Sequence, residues 1–465
     1  MKTKLILASF AALAAGAIFL AAQNPQIGGE IFGVGGKKPR MAVIDFRGTG
    51  DAQKYMATFN STLWDELNNS GVLEMVGKSF YPLEVPQQPQ DFKPPTQLQG
   101  LRRGDPPRTI KAGPWLTDWS EPPTSANYLA FGYTAVQDGR LLLRGFLFNV
   151  GQPDLQSADL IHKLYFGSLD DDGAKKVARE FAADILQQFG MKSLAGTKIF
   201  FVSDRTGNKE IWSMDYDGSN QKQMTFYHSI SKQPVVSADG RMFAFNTLVK
   251  DSWQIMVHSA ATGKKLPFYN PVSSTIETPE FTPDGKRILF SASMNGWVNI
   301  CIADANGGNM TQLTRVKAAE VSPRVNPKTG RDVLFISGRS GIEQLWRMNI
   351  DGGDVEMITN GEGYVANPSW SPEGTAIAFA WTRGYEPGAF NIFVMGIADK
   401  KYVQLTSGQG KNENPWWAPD GVHLVYQSTR GRNIQIYSML ANGRNQQQLT
   451  TVGNNTQPVW ANAIN

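Results

Sequence analysis

The chain is 465 residues long, with 41% hydrophobic and 18% charged residues, 46 Gly, 26 Pro and one Cys. That length buries real cores and excludes a peptide, a coiled coil or a disulfide-stapled mini-protein, while low charge and abundant turn formers favour many short strands over a helical bundle. A formal net charge of +4 offers neither the basic stripe of a nucleic-acid binder nor an acidic tail, and the lone Cys301 excludes an internal disulfide and a Cys-based zinc cluster.

Residues 1–22 carry Lys2 and Lys4, an apolar run over 5–20 and small residues at Ala21 and Ala22. A positive start, a greasy middle and a small-residue cleavage site make a secretory signal peptide. A retained anchor is the lesser reading, because the run is short for a span of roughly 20 residues. Residues 23–39, Gly-rich and basic, then form a flexible mature N-terminus. No later stretch approaches spanning length, so the exported chain is expected not to span a membrane.

Residues 40–190 predict an N-terminal α/β domain. An apolar strand covers 41–46, and Met56, Phe59, Leu63 and Leu67 fall three or four apart on one helix face that Gly71 ends. A strand returns over 72–76. The Pro- and Gln-rich stretch 81–124 has no periodicity and reads as a loop. A hairpin about Asp138-Gly139 joins strands at 128–136 and 141–150, and 161–166 is another strand. Asp170-Asp171-Asp172 precedes a closing helix marked by Val177, Phe181, Ile185 and Phe189; acids there suit the helix dipole better than a cation site.

From Lys198 onward one unit repeats. Pro234, Pro279, Pro323, Pro368, Pro415 and Pro458 recur about 45 residues apart, and the first five are each followed by a short strand and a Gly turn such as Thr282-Pro283-Asp284-Gly285. Further strands, such as Leu345-Trp346-Arg347-Met348, lead to a last one ending in Met224-Thr225, Leu313-Thr314, Ile358-Thr359, Leu405-Thr406 or Leu449-Thr450. Four short strands per unit, six times over, predict a six-bladed β-propeller over 198–465. Residues 198–226 lack a first strand and 457–460 supply only a first strand, so the chain end is expected to complete the blade begun at Lys198. The fold class is therefore α+β: a small N-terminal α/β domain followed by a six-bladed propeller closed by the C-terminal strand.

Four His residues, His162, His228, His258 and His423, have no partner at metal-ligand spacing, and the chain holds no nucleophile elbow, phosphate loop or dinucleotide fingerprint. No catalytic residue, metal ligand or cofactor is assigned, and the chain is not read as an enzyme. Trp212, Trp346, Trp370 and Trp416 sit at repeat positions and are expected to pack cores rather than stack on sugars. Arg205, Arg339, Arg383 and Arg430 recur after second strands and are expected to hydrogen-bond between blades.

The signal segment, the opening Met41-Ala42-Val43-Ile44-Asp45-Phe46, the entry Thr197-Lys198-Ile199-Phe200-Phe201-Val202-Ser203-Asp204-Arg205 and the Pro-x-Phe/Trp-Ser/Thr-Pro-Asp/Glu-Gly repeats together resemble the TolB family, over nearly the whole mature chain. The insertion 81–124 looks longer than that family carries. The resemblance implies a periplasmic interaction scaffold of the Tol-Pal system, in which the propeller binds a Pal-like peptidoglycan-associated lipoprotein and the mature N-terminus engages a TolA-like protein. Its implied role is outer-membrane integrity and invagination during cell division. A partner would sit at one channel rim, on residues placed just before each first strand: Gln233, Glu277, Thr278, Ser322, Asn367, Glu413, Asn414 and Gln457. The alternative is a periplasmic propeller that binds a small ligand or glycan.

Overall fold

The computed structural model describes residues 38–98, 108–273, 275–383 and 389–463; the expected signal peptide and residues 23–37 of the expected mature N-terminus lie outside the described residues. Two units separate by contact, Gly35–Ala195 and Gly196–Asn465.

In the first unit, the strands Glu74–Met75, Arg40–Val43, Tyr128–Gln137, Arg140–Asn149 and Asp159–Gly167 lie side by side in that order. The first three run parallel, the rest antiparallel. Helices Met56–Asn69 and Asp171–Gln188 present their apolar stripes to this sheet, burying Phe59, Leu63 and Leu67 from one and Val177, Phe181 and Ile185 from the other. Their approach is close enough to require a strand glycine: a Cβ on Gly145 would lie 2.8 Å from the Phe181 ring. Asp170 caps the second helix by accepting the Gly173 N–H at 2.7 Å, the role its sequence position suggested.

The stretch 81–124, expected as an ordered or loose loop rather than as an element, does hold elements. It contains a two-stranded sheet, Thr96–Leu98 with Arg108–Ile110, and buries Phe92 and Trp119 in the core, Phe92 stacking 5.7 Å from Phe148. Isolated aromatic anchors hold this segment, and single anchors leave no period to read.

The second unit is a propeller of six four-stranded blades. Five are consecutive, with innermost strands Ser231–Val236, Ile276–Phe281, Glu320–Val325, Val365–Trp370 and Asn412–Trp417; the sixth pairs Asn455–Ala461 antiparallel with Lys198–Ser203, setting Val459 against Phe200 and Trp460 against Ile199. The closure expected from the repeat phase is thus the one formed.

The threonine that ends each last strand proves to be a clamp. Thr225, Thr314, Thr359, Thr406 and Thr450 accept the backbone N–H of Ile211, Ile300, Leu345, Ile392 and Ile436 at 2.8–3.1 Å. Four of them also donate to the buried polar residue that opens the third strand: Glu210, Gln344, Asn391 and Gln435. In the first blade the Asn270 carboxamide replaces the clamp. Thr406→Val keeps the shape but orphans the Ile392 N–H, and is expected to cost about 1–3 kcal/mol in a denaturant melt; a change near zero would remove the clamp from the account.

The recurrent arginines act within a blade, not between blades. Arg205 reaches Ser203 and Asn455 and lies 4.5 Å from the Trp212 ring centroid; Arg339 reaches Ser337 and Glu320 over Trp346; Arg430 reaches Ser428 over Tyr437; Arg383 pairs with Glu362 over Trp381 and Tyr402. A guanidinium leaving the end of the second strand meets the third-strand aromatic beside it in the same sheet before any other blade is in reach.

Candidate functional site in the propeller channel

The innermost strands ring an axial channel. Each is broken at the same place: register slips between Lys232 and Val235, Glu277 and Glu280, Val321 and Arg324, Ala366 and Ser369, Glu413 and Trp416, and Thr456 and Val459. The bulged residues are Gln233, Thr278, Ser322, Asn367, Asn414 and Gln457, all left-handed with φ of 52–57°. Each precedes the repeat proline. A proline has no N–H to give to a ladder and is tolerated where a bulge already interrupts it, which is the physical reason the proline recurs.

Six of the eight rim residues expected from sequence therefore meet around one cavity, together with Arg324 and Trp416. They lie within the first strands rather than before them. Several are tied hand to hand around the ring: the Gln457 side chain accepts the Gln233 N–H at 2.7 Å, the Gln233 side chain accepts the Thr278 N–H at 3.1 Å, and the Thr278 hydroxyl accepts the Ser322 N–H at 3.1 Å. Gln457 in turn takes its own N–H partner from Gln427 at 2.9 Å. These bonds satisfy amides that a bulge would otherwise strand. Gln457→Ala keeps the Cβ at positive φ and removes the link to the Gln233 N–H, so a loss of about 1–3 kcal/mol is expected. Gln457→Gly should lose less than Gln457→Ala if backbone strain contributes, and equal losses would assign the effect to the hydrogen bond alone.

Glu277 and Glu413 stand one residue before their bulges. Glu277 pairs with Lys232 at 3.3 Å, and Lys232 covers the Trp253 ring at 4.2 Å; Glu413 accepts from Gln427 at 3.3 Å. Neither is in the wall of the bulge-ring cavity.

Sequence reasoning missed the channel's interior charge. Arg324, the residue after the third-repeat proline, pairs with Glu280 at 3.2 Å, both nearly buried, and stacks 4.9 Å from the Trp416 ring centroid. Burial pushes the Glu280 carboxyl up to about 7, against the pull of Arg324 and a Val325 N–H. The signal was present in the repeat: the position after the proline is Val235, Glu280, Arg324, Ser369, Trp416 and Val459, an ionic pair among otherwise uncharged residues. Beyond Arg324, toward the Asp-Gly turns, a second cavity of about 140 Å³ is bordered by Trp370, Trp416, Trp417 and Trp460. Trp370 and Trp416 pack against blade cores as expected and also border this cavity.

The other end of the ring carries exposed apolar side chains among exposed charged ones. Connections between blades and the hairpins joining second to third strands share the end at which first strands begin, and there Phe226, Ile230, Val272, Trp297, Tyr364 and Val452 are exposed. Among the described residues no helix is long and apolar enough to cross a membrane, and no group of three or more His, Cys, Asp or Glu is gathered as a metal site.

Comparison with known proteins agrees with this architecture. Residues 186–462, more than half of the chain, match the TolB beta propeller domain. A protein TolB homolog of Chlorobium chlorochromatii is 32% identical over 213 residues, 46% of each chain, and the Tol-Pal system protein TolB of Bordetella pertussis is 28% identical over 248 residues, 51% of this chain and 53% of its own. The chain thus matches about half the length of these curated relatives. The crystal structure of TolB from Acinetobacter baumannii superposes with a TM-score of 0.70 at 20% identity, covering 92% of this chain and 97% of that one.

Proposed function

Because the chain belongs to the TolB family, a component of the Tol-Pal system, we propose that it is a periplasmic scaffold that joins a Pal-like lipoprotein to a TolA-like protein and so supports outer-membrane integrity and invagination at division. The observation that carries the reading is the group of exposed apolar side chains at the end of the ring where the first strands begin. Singly exposed apolar side chains are ordinary, but six on loops of one propeller face, beside exposed charges such as Lys250, Glu362 and Lys411, make the mixed surface that a protein partner covers. The bulge ring beneath supplies rigidity, since its hydrogen bonds fix the strand ends that carry those loops. The Pal-like domain is placed on this face, and the TolA-like protein on the mature N-terminus.

Glu277 and Glu413 lie nearest to this face among the expected contact residues. Charge reversal there changes recognition more than folding, because surface substitutions usually stay within about 0.5 kcal/mol and misplaced like charges cost several. Glu277→Lys and Glu413→Lys are each expected to weaken binding of a purified Pal-like domain by about tenfold in calorimetric titration, Glu413→Lys with melting temperature nearly kept and Glu277→Lys with it lowered, because the new ammonium faces Lys232. Unchanged affinity in both would remove the partner from this face.

A further inference from the structure

The sheet of the first unit has a second face that is covered only in part. Side chains alternate along Arg140–Asn149: Leu141, Leu143 and Gly145 turn toward the helices, Gly145 against the Phe181 ring, so Arg140, Leu142, Arg144, Phe146 and Phe148 turn the other way. There Phe92 covers Phe131 and Phe148, its ring centroid 5.5 Å and 5.7 Å from theirs, and both are buried. Past that cover the register sets Arg47, Tyr133, Arg144 and Leu164 in one row across the strands and Ala135, Leu142 and Phe166 in the next. Every residue of these two rows keeps some exposure, Leu164 as much as 48%. Three arginines, Arg47, Arg140 and Arg144, stand on this bared half, and among the described residues none has a carboxylate partner. Arg140 lies 4.9 Å from the Phe166 ring centroid, and Arg144 donates to His162 Nε2 at 3.2 Å from Nε and 2.9 Å from Nη2. Cations on the helix face are answered, Lys163 by Asp184 at 2.7 Å and Arg179 by Glu66 at 3.3 Å. Asp159, 3.7 Å from His162, is the one acid in the strands 128–137, 140–149 and 159–167.

The outer edge beside this face is open. Asp159–Gly167, nine residues long, ends the sheet and among the described residues pairs only with Arg140–Asn149; such an edge is a template for one more strand. We infer that an extended acidic segment of a partner protein adds to this edge, its backbone pairing with Asp159–Gly167 and its alternate carboxylates lying over Arg144 and Arg140. Neighbouring strands lie about 4.8 Å apart, so the added strand runs about 10 Å from Arg140–Asn149, a gap that an arginine and a glutamate close from its two sides. Main-chain pairing supplies affinity in such complexes and alternate side chains supply specificity, while a guanidinium selects carboxylates by its paired donors. A membrane surface would use the arginines but leave the edge unpaired, and a second copy of the chain would set arginine against arginine. The site belongs to the first unit and the proposed Pal-like face to the second, so either reading can fail without the other.

The probe is an acetylated and amidated octapeptide of alternating Glu and Val, titrated calorimetrically into the full-length mature protein. Saturable binding that weakens as salt is raised is expected. The double variant Arg140→Gln with Arg144→Gln should weaken it at least about tenfold. The same peptide N-methylated along its backbone keeps every charge but cannot pair with an edge, and it should also bind at least about tenfold more weakly. No saturable binding of the octapeptide, or equal affinity for its N-methylated form, overturns the inference. Should the double variant fold poorly, the comparison of the two peptides on the unaltered protein still decides. Binding to phosphatidylglycerol vesicles that the double variant loses, without binding of the octapeptide, would overturn it in favour of a membrane surface. A concentration-dependent dimer in sedimentation that the double variant loses would overturn it in favour of a second copy of the chain.

Discussion

Truncation after Asn454 is expected to abolish cooperative unfolding of the propeller and leave a protein that aggregates on size exclusion. The lost segment Asn455–Ala461 is the innermost strand of the sixth blade, and it carries Val459, Trp460 and Ala461, each about 5% exposed or less. Burial of the two larger side chains contributes roughly 1.5–3 kcal/mol apiece, the ladder to Lys198–Ser203 disappears, and so does the Trp460 to Thr197 bond. Set against a total stability of about 5–15 kcal/mol, that loss is large. It also uncovers Lys198–Ser203 as a free edge whose Ile199, Phe200, Phe201 and Val202 are apolar, the kind of edge that pairs with other chains. Trp460→Ala tests the same closure more gently and should cost about 3–5 kcal/mol. A truncated protein that melts at the temperature of the intact one would refute the closed ring as the source of stability.

Arg339→Ala is expected to be the most damaging single side-chain change in the propeller outside its apolar core, at about 3–5 kcal/mol. Glu320 is fully buried, and one of its oxygens accepts from Ser337 at 2.8 Å, from Arg339 Nε at 3.0 Å and from Arg339 Nη2. Its other oxygen has no partner. Removing the guanidinium leaves an ion with nothing to balance it, and also strips the cover from Trp346. Arg339→Lys should recover only part of the loss, because a single ammonium cannot serve Glu320 and stack flat on an indole at once. The double variant Glu320→Gln with Arg339→Met should lose less than Arg339→Ala, since no lone charge remains. Additive losses for Glu320→Gln, Arg339→Met and the double variant that combines them, measured by denaturant melts, would show that the two residues do not act as a pair.

Much of the propeller was legible because a repeat displays its reasons six times. The prolines, the Asp-Gly turns and the terminal threonines recur at one spacing, and the missing first strand before Lys198 matches the spare one at the chain end. The candidate site was legible only in part. Gln233, Thr278, Ser322, Asn367, Asn414 and Gln457 were singled out as a rim, and they do meet, but as bulges that hold the ring together. Glu277 and Glu413 were singled out with them and stand aside from that cavity. Arg324 and Glu280 went unmarked, since they stand out only when the position after the proline is compared from repeat to repeat.

The amino-acid order by itself determined the period, the number of blades, the turn chemistry and the helix faces of the first unit, all properties set within a few residues or by simple repetition. Only the tertiary structure decided which residues face one another across the ring. Gln233 meets Gln457 from 224 positions away and Thr278 meets Ser322 from 44, so the bulge ring, the buried cation and the tryptophan-lined cavity exist only once all six blades have closed. The same holds for the stretch 81–124, whose Phe92 and Trp119 become anchors when a sheet is there to receive them. Periodicity is written along the chain; adjacency across a closed ring is created by the closure.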